Sequence, residues 1–278
     1  MNYQKIKKQV VELYRTTSCR LPKDVEVALQ QAFKNETSKS AKSILGTILQ
    51  NIKLARSEQK PICQDTGIPL FYVQYQRKKY SHLKLKKAIK EATNIATREI
   101  PLRPNAIDFE TGKAIGNYPI IYFKEARKSQ ITLLLKGGGS ENVSAVYQLP
   151  NPKIGADSRK LASVEKAVLH AVYKAQGKGC PPYIIGVAVC GNIEEAAYRA
   201  KNRHIYKLDE KNSIPKFRRF EKDLLKKINQ LGIGPLGLGG KTTALSVKFT
   251  GRYSHPASMF VGVSISCWAL RRHTLKLI

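Results

Sequence analysis

The N-terminal part of the chain follows a helical pattern of hydrophobic and polar positions. Segments 3–16 and 21–34 are amphipathic and predict two short helices. Ser40 is placed to cap a third helix, while the apolar run 69–75 predicts a strand and the lysine-rich segment 82–98 a fourth helix. The third helix has apolar residues at helical spacing, namely Ile44, Leu45, Ile48, Leu49, Ile52 and Leu54.

Strands and helices alternate in the rest of the chain. Segments 118–123 and 131–136 predict a pair of strands bounded by turn residues. Further helices are expected at 160–176, from Gly191 onward and at 215–230, and further strands at 183–190, 244–250 and 262–270. This order predicts an α/β or α+β fold with a helix-rich N-terminal part. Without a repeat or a linker, we expect one compact domain over residues 1–278.

The longest apolar stretches do not indicate a membrane protein. Segments 183–190 and 259–270 are far shorter than the roughly 20 residues that span a bilayer. The first residues form an amphipathic pattern rather than a basic head followed by an apolar run, so no secretory signal is indicated. We therefore expect a soluble cytoplasmic protein.

The chain is strongly basic, with 49 Lys and Arg against 20 Asp and Glu and a formal net charge of +29. Such a charge is typical of nucleic-acid-binding proteins. However, the lysines are spread along the whole chain, and no helix-turn-helix, RRM or zinc-finger spacing accompanies them. A lysine-solvated surface is the simpler interpretation, which makes nucleic acid an unfavoured partner. An acidic subunit or anionic substrate is a third interpretation.

Reactive and flexible residues cluster at the ends of predicted elements. They lie in the segments PICQDTG (61–67), KGGGSEN (136–142), KGCPP (178–182) and SHPASM (254–259). This distribution indicates a rigid scaffold with loops around a common site. Neither KGGGSEN nor GLGGKTT is a Walker A loop, because the second would need a glycine where Pro235 stands.

Five cysteines, an odd number, stand at positions 19, 63, 180, 190 and 267. Their wide spacing argues against a disulfide framework and leaves unpaired thiols, a metal or catalysis. Cys190 ends an apolar strand, where a thiol is more often a small buried hydrophobe. The spacing of Cys63, Cys180 and Cys267 matches no zinc or ferredoxin pattern by itself.

Taken together and in order, PICQDTG, KGGGSEN, GCPPY, GIGPLGLGGKTT and HPAS…SCWA resemble the iron–sulfur-dependent class I fumarate hydratases and L-tartrate dehydratases. More narrowly, the chain is similar to the α subunit of the two-subunit form. The resemblance extends from about Ile44 to Arg272, which is nearly the whole chain.

The resemblance implies a [4Fe–4S] cluster held by the thiolates of Cys63, Cys180 and Cys267, with one iron open as a Lewis acid. It implies that Asp65 and His255 act in catalysis by proton transfer. The substrate-binding residues that it implies are Gln64, Asp65, Arg103, Gly137 and Gly138. No role is carried over to Arg252, because its spacing from His255 is wider than in relatives.

The resemblance also implies a separate β subunit that completes the site, giving an αβ hetero-oligomer that acts on a small dicarboxylate. We expect a hydro-lyase that reversibly hydrates fumarate to (S)-malate. The alternatives are an L-tartrate dehydratase α subunit, a basic nucleic-acid-binding protein, and a protein with a structural zinc ion.

Overall fold

The computed structural model describes residues 2–251 and 253–277 and has a mixed α/β fold. In this part of the chain the helices are α1 (Tyr3–Cys19), α2 (Lys23–Asn35), α3 (Lys39–Glu58), α4 (His82–Glu99), α5 (Gly138–Asn142), α6 (Leu161–Ala175), α7 (Ile193–Asn202) and α8 (Pro215–Gln230). The strands are β1 (Ile68–Tyr75), β2 (Ile120–Glu125), β3 (Gln130–Lys136), β4 (Ala145–Gln148), β5 (Tyr183–Cys190), β6 (Ala244–Gly251), β7 (Phe260–Ser266) and β8 (Arg271–Lys276).

The chain divides into two compact units. The first unit comprises Met1–Pro22, Gln50–Gly138 and Ala269–Ile278, and the second comprises Lys23–Leu49 and Gly139–Trp268. The expectation of one domain over residues 1–278 stays a prediction.

The first unit is built on a four-stranded sheet in the order β2–β1–β3–β8. Strand β1 pairs in parallel with β2 and antiparallel with β3, which in turn pairs antiparallel with β8. Successive side chains of a strand point to opposite faces, so Phe71 and Val73 share a face of β1. With Leu133 and Leu135 of β3, they form a core against helices α1 and α4.

The second unit has a sheet in the order β4–β7–β5–β6 with helices on both faces. Ile185 and Val187 of β5 point to a core shared with α6 and α8. On the opposite face, a side chain at Gly186 would come within 2.1 Å of the carbonyl oxygen of Ala200 in α7. Glycine is needed there because the backbone of α7 lies directly on the strand.

Most predicted elements are confirmed, and the differences involve sheet order and helix ends. Strands β2 and β3 do not pair with each other, because β1 lies between them. Ser40 lies inside the first turn of α3 rather than capping it, and the hydroxyl of Ser38 accepts the Ala41 N–H instead. Strands β4 and β8 were not predicted. Across the described residues, no helix is long and apolar enough to cross a membrane.

Candidate active site

The loop PICQDTG connects α3 to β1 in the first unit and turns sharply at Gly67, where φ is +80°. A Cβ atom at this position would lie 2.9 Å from the backbone carbon and oxygen of Lys136. Only glycine combines this backbone conformation with so close an approach. The loop is therefore pressed against the end of β3, where the glycine run begins.

The carboxylate of Asp65 is held by three donors. Its Oδ1 accepts hydrogen bonds from the Gly67 N–H at 2.7 Å and from Nδ2 of Asn105 at 2.7 Å. Its Oδ2 accepts the Gly138 N–H at 2.8 Å. A carboxylate has roughly four lone-pair positions, so Oδ2 keeps capacity for a further donor. Asp65 is thus fixed in orientation and still able to bind another group.

Hydrogen bonds also hold the loop that carries Arg103 against the PICQDTG loop. The Thr66 hydroxyl donates to the carbonyl oxygen of Arg103 at 2.8 Å. Nδ2 of Asn117 donates to the same oxygen at 3.2 Å, and Oδ1 of Asn117 accepts the N–H of Asn105 at 3.2 Å. These bonds fix the backbone of Arg103 while its side chain stays exposed.

The buried side chain of Arg271 supports the backbone of the PICQDTG loop. Arg271, the first residue of β8, is only 1% exposed, and its guanidinium donates to the backbone carbonyl oxygen of Asp65 at 2.8 Å. Its Nε is buried and has no hydrogen-bond partner in the described part of the chain. Because a fully buried arginine is costly to desolvate, its contact with this loop indicates a positioning role.

The two glycines predicted to bind substrate lie at the end of β3 and the start of the short helix α5. The sequence suggested a loop for KGGGSEN, but its residues Gly138–Asn142 form helix α5. The N–H of Gly138 is already donated to Asp65. A direct bond from the Gly138 N–H to substrate would need Asp65 to release it, and the substrate-binding role of Gly138 stays a prediction. Gln64 is exposed beside them.

In the second unit, Cys180 is exposed and has a positive φ of 57°, which is unusual for a residue other than glycine. Its carbonyl oxygen accepts the N–H of Trp268 at 3.2 Å. Trp268 directly follows Cys267, so this bond joins the two loops that carry Cys180 and Cys267.

The loop before Cys180 is held by a buried phenol. The hydroxyl of Tyr183 donates to the carbonyl oxygen of Gln176 at 2.6 Å and accepts the N–H of Gly179 at 3.1 Å. Burial raises the pKa of Tyr183 to about 12, so the phenol stays protonated and able to donate. The glycine-rich segment GIGPLGLGGKTT (232–243) packs closely on this loop, since a Cβ at Gly237 would lie 2.6 Å from Cα of Gly177.

His255 lies in an exposed turn of the second unit. Its Nδ1 accepts the N–H of Ala257 at 3.1 Å, so the neutral ring carries its hydrogen on Nε2. A guanidinium nitrogen of Arg159 donates to the carbonyl oxygen of His255 at 3.0 Å. A Cβ at Gly191 would lie 2.8 Å from the backbone nitrogen of His255, so this turn is packed closely on Gly191. Arg252 lies outside the described residues.

Burial separates the five cysteines into two groups. Cys19 and Cys190 are fully buried, whereas Cys63 and Cys267 are half-buried and Cys180 is exposed. The three thiols predicted to hold a cluster are therefore the three that reach the surface, so the donor set fits such a group. Among the described residues, no group of three or more His, Cys, Asp or Glu side chains that could hold a metal ion is present.

Several residues that support these loops were not predicted from the sequence, namely Asn105, Asn117, Tyr183 and Arg271. Asn105 stands two positions after Arg103 in a proline-rich loop, where asparagine is also typical of an ordinary turn. Arg271 lies in a strand that was not predicted. No local signal distinguishes either residue from a surface side chain, because their roles depend on partners far along the chain.

Comparison with known proteins identifies the class of this protein as a hydro-lyase. The model of the Fumarate hydratase (Fumerase) family matches residues 7–276. The chain belongs to this family.

Several curated relatives are similar over almost the whole chain. The "Putative L(+)-tartrate dehydratase subunit alpha" of Methanocaldococcus jannaschii is 39% identical, with 96% of each protein covered. The L(+)-tartrate dehydratase subunit alpha of Escherichia coli is 31% identical over 93% of this chain and 86% of the relative. The "Putative fumarate hydratase class I" of Geobacillus stearothermophilus is 37% identical over 97% of this chain but only 54% of the relative.

Proposed function

We propose that this chain is the α subunit of an iron–sulfur hydro-lyase that reversibly hydrates fumarate to (S)-malate. The observation that carries the proposal is the Asp65 carboxylate, held by three donors two residues after the Cys63 thiol. Membership of the family supports the reaction class. A nucleic-acid-binding function is not favoured, because the basic charge has no matching binding motif.

Cys63, Cys180 and Cys267 would hold a [4Fe–4S] cluster. When bound, the cluster supplies a Lewis acid that polarises the oxygen atoms of the substrate. The accessibility of these three thiols supports the assignment, as does the hydrogen bond between the Cys180 and Cys267 loops. The buried Cys19 and Cys190 are not expected to be ligands.

The remaining side chains would bind and orient a dicarboxylate. The exposed guanidinium of Arg103 can donate two parallel hydrogen bonds to one carboxylate, and its fixed backbone limits the entropy lost on binding. Gln64 adds an amide donor, and the backbone of Gly137 and Gly138 a polar edge. Such contacts hold the substrate in a reactive orientation.

Proton transfer would be shared by Asp65 and His255. Among the described residues, Oδ2 of Asp65 accepts only the Gly138 N–H, which leaves it able to receive or hold a proton. The Nε2–H of His255 is the available donor of that ring, because Nδ1 accepts the Ala257 N–H. Negative charge that develops beside a substrate carboxylate would be stabilised by such donors.

A separate β subunit would complete the site in an αβ hetero-oligomer. Two of the relatives described above are named as alpha subunits. The G. stearothermophilus relative is longer, and this chain covers only 54% of it. The uncovered part of that relative is the expected counterpart of the β subunit. A cytoplasmic location stays a prediction.

L-Tartrate dehydration is the second candidate, favoured by the names of the M. jannaschii and E. coli relatives. Tartrate differs from malate by one hydroxyl group, and a site that hydrogen-bonds this group rejects the analogue that lacks it. The two substrates are therefore distinguished by a direct comparison of kcat/KM.

The test is an anaerobic reconstitution of the purified chain with iron and sulfide, followed by addition of the candidate β subunit and either substrate. We expect thiolate-to-iron absorption at about 400 nm. We also expect malate to form only when both chains are present. Turnover of tartrate alone would change the substrate and keep the reaction class, whereas failure to bind a cluster under any condition would contradict the cysteine assignment.

A further inference from the structure

A β-hairpin in the first unit, residues 105–118, projects large apolar side chains into solvent. Phe109 is 101% exposed at its tip, with Ile107 59%, Ile115 64% and Tyr118 61% exposed along its length. We refer to residues 105–118 as the arm. Scattered single apolar residues are normal on a surface, but four exposed ones concentrated on one short hairpin indicate an interaction site.

The arm is an ordered element rather than a loose loop. Its two sides are joined by hydrogen bonds from Ala106 N–H to the Gly116 oxygen at 2.8 Å and from Ile115 N–H to the Ala106 oxygen at 2.8 Å. At the turn, Oδ1 of Asp108 accepts both the N–H and the hydroxyl of Thr111, at 2.8 and 2.7 Å. Its apolar side chains are therefore held out in a defined arrangement.

The pairing of the arm determines which side chains share a face. Ile107 lies opposite Ala114 and shares its face, so Ile115, the next residue after Ala114, points to the other face, while Phe109 lies in the turn at the tip. A flat surface could cover only one of these faces. Apolar groups on both faces fit a partner that encloses the arm in a cleft.

Both ends of the arm are residues of the candidate active site. Asn105 donates to Oδ1 of Asp65, and Asn117 donates to the carbonyl oxygen of Arg103. The two asparagines are also bonded to each other, since Oδ1 of Asn117 accepts the Asn105 N–H. A protein that binds around the arm would therefore also restrain the two loops that carry Asp65 and Arg103.

We propose that the arm is the docking element for the β subunit, which encloses Phe109 and Ile115 in an apolar cleft and thereby fixes the Asp65 and Arg103 loops. This inference rests on the proposed function, which supplies the partner. The occupant is argued from the part of the G. stearothermophilus relative that this chain does not cover, and from the continuity of the arm with the site that such a partner would complete. Buried aromatic side chains at the centre of an interface commonly provide most of the binding energy.

The experiment measures assembly of the purified full-length chain with the candidate β subunit, identified by its similarity to that uncovered part. Sedimentation velocity and calorimetric titration would compare the wild type with the double variant Phe109→Ser/Ile115→Ser. The matched control is Leu83→Ser/Tyr173→Ser, because Leu83 is 75% and Tyr173 62% exposed outside the arm. Circular dichroism verifies that each variant is folded.

We expect the arm variant to bind the β subunit at least about ten-fold more weakly, while the control binds like the wild type. Equal affinity of arm variant and wild type would overturn the proposal. So would loss of self-association of this chain without any effect on β binding, because the arm would then contact a second copy. Absence of any complex with the wild type would overturn it as well.

Failure of the proposed function gives a different result. A complex that forms but converts neither fumarate nor tartrate would refute the hydratase assignment, and the affinities would still decide the role of the arm. An active complex with an unchanged arm-variant affinity would refute only the docking proposal.

Discussion

Nδ2 of Asn105 donates a hydrogen bond of 2.7 Å to Oδ1 of Asp65, which joins two residues 40 positions apart in the chain. Through this bond the loop that carries Arg103 and the loop that carries Cys63 form one supported structure. The proposed dicarboxylate site would need this arrangement, because its charged groups must keep their positions when the substrate binds.

Replacement of Asn105 by alanine tests this support. We expect Asn105→Ala to lower kcat/KM about ten- to hundred-fold, because a carboxylate displaced by about 1 Å no longer matches the reacting atoms. The loss in stability should be only about 1 kcal/mol. Steady-state kinetics of the assembled enzyme, with Asn94→Ala on the exposed side of α4 as control, measures the effect. Wild-type kinetics in Asn105→Ala would contradict the role of this bond.

Arg271 supports the same loop from the core. In Arg271→Met the carbonyl oxygen of Asp65 loses its buried donor, at a cost of about 1–3 kcal/mol. We expect the loosened loop to expose Cys63 to faster alkylation by iodoacetamide, measured by mass spectrometry of the Cys63 peptide. Arg127→Met, a change at an exposed position, serves as control. An unchanged Cys63 rate would show that the guanidinium does not position the loop.

The division of the cysteines by burial leads to a simple substitution test. We expect Cys63→Ser, Cys180→Ser and Cys267→Ser each to abolish the absorption of a reconstituted cluster. Cys19→Ser and Cys190→Ser should keep it, because both thiols are fully buried. Iron and sulfide analysis of all five variants checks the result. Retention of a full cluster in any of the first three would remove that residue from the ligand set.

The raised pKa of Tyr183 predicts that the protein loses stability at alkaline pH. Burial raises its pKa from the ordinary 10.0 to about 12, so its stabilising contribution is complete below the ordinary pKa and is lost as the pH rises through the folded value. Tyr183→Phe removes both hydrogen bonds of the phenol and should cost about 1–3 kcal/mol near neutral pH.

Denaturant unfolding of Tyr183→Phe and wild type across this pH range measures the difference in unfolding free energy. The difference should shrink as the pH approaches the folded pKa. The exposed phenol of Tyr173 offers the control Tyr173→Phe, for which no loss is expected. A difference that grows with alkaline pH would contradict the assignment.

Glu36 predicts the opposite dependence, at acidic pH. Burial raises the pKa of this carboxyl, but hydrogen bonds from the N–H groups of Ser38, Lys241 and Thr37 outweigh burial and leave it below the ordinary 4.5. Its contribution is therefore present above the ordinary pKa and is lost as the pH falls through the lower folded value.

In Glu36→Gln we expect a loss of about 1–3 kcal/mol at neutral pH, because the N–H of Lys241, bonded to Oε2 at 2.8 Å, loses a charged acceptor. Unfolding free energies of variant and wild type should converge in acid. The exposed Glu12→Gln serves as control. A difference that does not depend on pH would show that the charge of Glu36 is not what stabilises the glycine-rich segment.

Local sequence determined most of the described helices, α5 excepted, and the positions of most strands along the chain. Helix α8 begins and ends where its periodicity predicts, at Pro215 and Gln230, since proline at the first position and the apolar face are local properties. The motifs also determined the family, because cysteines and glycines in a given order along the chain are visible without a structure.

The tertiary structure alone decided which segments meet. Strand β1 lies between β2 and β3, although the sequence suggested that these two pair directly. The bond from Asn105 to Asp65 and the bond from Arg271 to the same residue likewise connect distant parts of the chain. No local sequence pattern predicts such contacts, because they form only when the sheet is assembled. Burial in the assembled fold then determines which polar groups need a hydrogen-bond partner.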